Sequence, residues 1–187
     1  MEEKKKLAGG KRKLIFAALI FAAALVLVLL VNFFVKTCIV SVVDIQGSSM
    51  EPTMNHGEKW LVSKYDKSYE RGDVVTFYSN DSESGKKAMI SRIVAVSGDT
   101  VYIDFLSGVV YINGEPAEEP YAAEKTYTRG KYIDMLSSQD AYSADRPIVV
   151  EEGCVFVMGD NRNNSRDSRE FGQISVGSVT GVVTGKV

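Results

Sequence analysis

Residues 14–35 read LIFAALIFAAALVLVLLVNFFV, an apolar run in which Asn32 is the only polar residue and no side chain is charged. Its 22 positions span ~33 Å as a helix, enough to cross the hydrocarbon core of a bilayer. A cleavable signal peptide is the alternative, but its apolar region is usually shorter and ends in small residues. Here the run continues into Val35-Lys36-Thr37-Cys38, with no Ala-x-Ala exit, and Lys36 argues against a lipoprotein-type role for Cys38. The run therefore predicts an uncleaved transmembrane helix. Lys4, Lys5, Lys6, Lys11, Arg12 and Lys13 precede it, whereas only Lys36 lies close after it. The positive-inside bias makes residues 1–13 a basic cytoplasmic tail and residues 36–187 an extracytoplasmic body at the cell membrane, with membrane lipid around the single span.

The body has one domain's worth of residues. The tail's six cations against Glu2 and Glu3 leave it at −6 in a chain of net charge −2. A mildly acidic body lacks the basic face that nucleic acid requires. Cys38 and Cys154 match no metal spacing, and a disulfide between them is not expected. Cys154 opens the apolar run Cys154-Val155-Phe156-Val157, where it reads as a small buried residue. His56 is the only histidine, which excludes a His-rich metal site, and no metal or organic cofactor is implied.

From Thr37 onward continuous apolarity gives way to short β-rich runs. Strands are expected over 39–43, 59–64, 73–78, 88–96, 100–105, 109–112, 154–158 and 178–183. Ser107-Gly108 reads as a hairpin loop and Asn113-Gly114 as a tight turn. Many short strands between turn signals argue an all-β body. Residues 115–146, rich in Glu, Ala, Tyr and Ser, read as a small lobe or excursion on that body.

Four segments carry the chemistry. One is Gly47-Ser48-Ser49-Met50-Glu51-Pro52-Thr53, just past the apolar run. Another leads from 58–62 to Arg71-Gly72-Asp73-Val74-Val75, and a third is Ser91-Arg92-Ile93-Val94 running on to Gly98-Asp99. The last and most specific occupies 159–169, with two Asp, three Arg, two Ser and three Asn in eleven positions directly after an apolar strand. A solvated loop is the bland reading of such a run. Folded back against a buried site, its polar groups would need partners, and an Asp and an Arg two apart can pair and stiffen a turn.

In this order and spacing the four segments resemble the type I signal peptidases, membrane-anchored serine endopeptidases that remove signal peptides from exported preproteins. The single anchor and short middle lobe are similar to the Gram-positive bacterial branch. The resemblance implies a mostly β body of antiparallel sheets, with its catalytic face on the membrane. It makes Ser49 the nucleophile, with its own backbone N–H as an oxyanion donor. Ser165 would hold the general base by a hydrogen bond, while Asp167 and Arg169 would form the ion pair that shapes this wall. Ile45, Met50 and Ile90 fall where the family lines shallow pockets for the small side chains of an Ala-x-Ala site. The substrate would lie extended between strand edges.

One position departs. The family's base is a lysine immediately before an arginine, its pKa lowered by burial. Here that pair is Ser91-Arg92. Arg92 stays protonated and cannot act as the base. Lys87 shares strand parity with Ser91 but lies ~13 Å away along a strand. His56 is close to Ser49 in sequence but is expected in a surface turn. Three accounts compete: another base, a deliberate replacement, or a family member with weak or no proteolysis. The last would keep the groove and bind exported segments, for example in pilus assembly.

Overall fold

The computed structural model describes residues 2–34, 39–65, 68–81, 85–139 and 142–187. Val35, Lys36 and Cys38 lie outside the described residues. Helix α1 (Glu2–Phe34) is continuous. It starts within the charged tail, because Glu, Lys, Ala and Leu all favour helix and no proline interrupts them. Ile15–Phe34 is long and apolar enough to cross a membrane, and its side chains are exposed throughout.

Residues 41–187 form a separate compact body. Its strands are β1 (Val40–Asp44), β2 (Lys59–Ser63), β3 (Val74–Asp81), β4 (Gly85–Val96), β5 (Thr100–Asp104), β6 (Val109–Ile112), β7 (Glu115–Pro116), β8 (Ile148–Val149), β9 (Cys154–Met158), β10 (Ile174–Ser175) and β11 (Val179–Lys186). One sheet has the order β1-β2-β11-β3-β4-β9-β10, and a second has the order β7-β6-β5-β8. Pairings among β2 to β11 are antiparallel. The fold is thus mostly antiparallel sheet with an N-terminal apolar helix.

Local chemistry accounts for the strands. Along β5, Val101 and Ile103 are buried while Thr100, Tyr102 and Asp104 are half-exposed, the alternation of a strand with one face inward. Asn113 and Gly114 both adopt left-handed backbone (φ 55° and 83°), which the tight turn between β6 and β7 requires. β9 is buried on both faces. Phe156 and Met158 join a core with Val101, Ile103 and Val110, and Val155 and Val157 join another with Val75, Phe77 and Ile93.

Four elements go beyond the sequence expectation. β7, β8 and β10 have two residues each, too few to show alternation. The 115–146 stretch contains helix α2 (Lys131–Ser138), which buries Ile133 and packs Leu136 against the larger core. Two turns are too short for a helical period to stand out. Cys154, expected buried, is half-buried beside that core.

Candidate active site

The loop between β1 and β2 carries Ser49. Met50 and Met54, at 0% and 2% exposure, anchor it into a cluster with Ile45 and Val74. Gly47 enters the loop with φ +89°, a conformation that favours glycine. Its N–H donates to His56 Nδ1 at 3.1 Å. His56 is exposed, as expected, and acts as an acceptor within this loop.

The 159–169 segment clamps the loop from the other side. Asn161 N–H donates to the Ser49 carbonyl (3.0 Å) and Asn161 Nδ2 to the Ser48 carbonyl (3.0 Å). Asn164 Nδ2 donates to Ser48 Oγ (2.8 Å), and Thr53 Oγ1 donates to Asp160 Oδ2 (2.5 Å). Gly159 makes this approach possible: a Cβ there would lie 2.3 Å from Ser165 Oγ and 2.5 Å from the Ser49 carbonyl oxygen. Ser49 and Ser165 thus flank one glycine. Among the described residues the Ser49 hydroxyl makes no hydrogen bond, and Ser49 is half-buried and lines a groove.

Buried charges hold the wall, each with partners. Arg169 Nε and Nη2 each donate to Asp167 at 2.8 Å. Asp167 also accepts from Ser165 Oγ (2.7 Å) and Gly159 N–H (3.0 Å), and its side chain caps the short helix α3 (Ser168–Phe171). Arg92 Nε and Nη2 donate to Asp160 at 2.8 and 2.6 Å. Arg162, at 1% exposure, forks onto Glu119 at 2.7 and 2.6 Å. Burial pulls the Arg162 guanidinium down, but the Glu119 carboxylate outweighs it, so its pKa rises. The Tyr121 ring lies under the Arg92 guanidinium at 4.1 Å, and burial pushes its phenol up. Residues of the 115–146 excursion therefore pack on the segment that holds the Ser49 loop.

Ser91 sits on β4 opposite Val75, at 1% exposure. Its hydroxyl donates to the carbonyl of Ile90 at 2.8 Å. It is not among the residues lining the groove, whereas Lys87 is. Of the three residues placed at shallow pockets, Ile45 and Ile90 line the groove. Met50 is fully buried in the cluster that both of them join.

The groove has a volume of about 760 Å³. Ser41, residues 43–49 of the β1 side, and 76–79 with 87–90 of β3 and β4 are among the residues that line it. The ladder between β4 and β9 begins only at Arg92, so residues 85–91 bond to β3 on one side alone. β1 ends its sheet. β1 and the first part of β4 thus offer strand edges, whose free N–H and C=O groups accept a further extended chain.

Sequence reading did not assign partners to Thr53, Arg92, Asp160, Asn161, Asn164, Glu119 or Tyr121. The density of polar residues after an apolar strand was the available signal. What it lacked was the identity of each partner.

The family model described as signal peptidase, peptidase S26, matches residues 17–187. Signal peptidase IB of Staphylococcus aureus is 32% identical over 158 residues, covering 81% of this chain and 80% of that protein. Signal peptidase I of Bacillus caldolyticus is 29% identical over 166 residues, covering 81% and 85%. A crystal structure of a signal peptidase I from Enterococcus faecalis V583 aligns with a TM-score of 0.43 at 28% identity, over 63% of this chain and 97% of that one.

Proposed function

The chain belongs to the signal peptidase family, peptidase S26, and on that premise we propose that it is a membrane-anchored serine endopeptidase of signal peptidase I type with impaired turnover. Its substrates are exported preproteins, cut after Ala-x-Ala-like sites. Residues 1–13 are the cytoplasmic tail, 14–35 the span and 36–187 the extracytoplasmic peptidase body. The observation that supports this best is the placement of Ser49: a hydroxyl free of hydrogen bonds among the described residues, on a groove also lined by residues of β1 and β4, two strands with open edges.

In this reading Ser49 attacks the scissile carbonyl, and its backbone N–H stabilises the oxyanion. Ser165, bonded to Asp167, is the positioning hydroxyl beside it. The position that the family fills with a lysine amine holds Ser91. A serine hydroxyl takes up a proton far less readily than an amine, and this one is engaged by the Ile90 carbonyl. A positioned general base contributes roughly 10²–10⁴-fold, which sets the scale of the loss. That same engagement of Ser91 favours a second reading, a groove that binds exported segments for assembly without cutting them, as in pilus assembly.

The test uses the full chain in detergent with a preprotein bearing an Ala-x-Ala site. The chain itself is expected to cut slowly or not at all. Ser91→Lys is expected to gain cleavage, and Ser49→Ala in that background to abolish it. Cleavage by the unaltered chain at the rate of the Ser91→Lys variant would overturn the role given to position 91. If no form cuts and the protein retains exported segments, the assembly reading holds.

A further inference from the structure

We propose that Lys87 makes this groove select extended segments that carry a carboxylate about four residues from the bond presented to Ser49. The inference rests on the peptidase reading above and adds a preference that reading does not contain.

Among the described residues, the charged ones lining the groove are Asp44, Lys64, Lys87 and Arg166. Asp44, the carboxylate among them, is bonded to Lys59 Nζ at 2.5 Å. Arg166 lies 3.7 Å from the Glu170 carboxylate. Lys87 is exposed, and among the described residues its ammonium has neither an ion pair nor a hydrogen bond. Among these described residues, Lys87 carries the positive charge that no partner compensates. An apolar signal segment alone would need no such charge there.

Register fixes how far along the groove this charge acts. Lys87 lies opposite Ser79 on β3 and shares a strand face with Met89 and Ser91. Four strand residues separate it from position 91, ~13 Å along β4. A chain added to the open edge of β4 advances at the same rise per residue. On the peptidase reading, in which the reacting bond stands beside position 91, a side chain four residues from that bond comes level with Lys87. Glu or Asp there meets an ammonium at the groove, where Gln meets only a hydrated cation.

The experiment uses the full chain in detergent with Ser49→Ala, so that bound peptide stays intact. Fluorescent Ala-x-Ala peptides carry either Glu or Gln four residues to one side or the other of the scissile bond, and anisotropy reads their affinity. One of the two Glu peptides is expected to bind about three- to fivefold tighter than its Gln counterpart. That preference should shrink in ~0.5 M salt, where the screening length falls to a few ångströms. It should vanish in Lys87→Gln and invert in Lys87→Glu. Equal affinity of Glu and Gln peptides on both sides overturns the proposal while leaving the groove reading intact, as does a preference that survives Lys87→Gln. Failure of all four peptides to bind overturns the groove reading and this inference together.

Discussion

The backbone N–H of Asn161 donates to the carbonyl of Ser49 at 3.0 Å. The 159–169 segment thus reaches the Ser49 loop through main chain, next to a glycine with no room for a side chain.

Gly159→Ala is expected to push the two serines apart. The added Cβ would meet Ser165 Oγ at 2.3 Å and the Ser49 carbonyl at 2.5 Å, so one of them must move. Overpacking of this kind costs about 1–3 kcal/mol. Thermal unfolding should show a lowered Tm, and the Ser91→Lys background should lose its cleavage. An unchanged Tm with full cleavage would mean that the loop yields freely.

The Arg92–Asp160 pair is expected to behave as a buried ion pair. Asp160 is 0% exposed and accepts from Arg92 and from Thr53. Asp160→Ala leaves the Arg92 charge buried without its partner, at a cost of about 3–5 kcal/mol. Arg92→Met with Asp160→Leu removes both charges and should cost less than the two single changes summed. Urea unfolding of the four proteins measures the coupling.

His56→Ala removes the acceptor of the Gly47 N–H. The donor is exposed and water can replace the imidazole, so the expected cost is below about 1 kcal/mol. Cleavage by the Ser91→Lys chain should persist with His56→Ala added. Complete loss of cleavage at an unchanged Tm would instead make His56 the base.

Acid should weaken the contacts beside this loop through Glu58. Its carboxyl is held at about 2, against an ordinary 4.5, chiefly by the hydrogen bond from Lys186 and then by Asn55 and Trp60. A folded-state value below the unfolded one adds stability above pH 4.5, and that contribution is lost as pH falls from 4.5 towards 2. Glu58→Gln is expected to flatten that part of the Tm-versus-pH curve. A curve of unchanged shape would show that Glu58 carries none of it.

The longer strands were legible because alternation is local. In β5 each side chain's inward or outward direction follows from its neighbours two residues away. The Asn113-Gly114 turn was legible for a similar reason, since few residue pairs tolerate left-handed backbone at both positions. Helix α2 was not, because its stability comes from Ile133 and Leu136 packing against strands remote in sequence.

The site divides in the same way. The resemblance of four sequence segments to the type I signal peptidases marked Ser49, Ser165, Asp167 and Arg169 as a constellation, and marked position 91 as lacking the family's amine. An ion pair two residues apart, such as Asp167 with Arg169, is also a local matter. Only the tertiary structure decided that Asp160 bonds to Arg92, 68 residues away, and to Thr53, 107 residues away, or that Glu119 holds Arg162 from a distance of 43. Those partners are chosen by sheet order and by the requirement that every buried charge be matched, and neither is written in the spacing of residues along the chain.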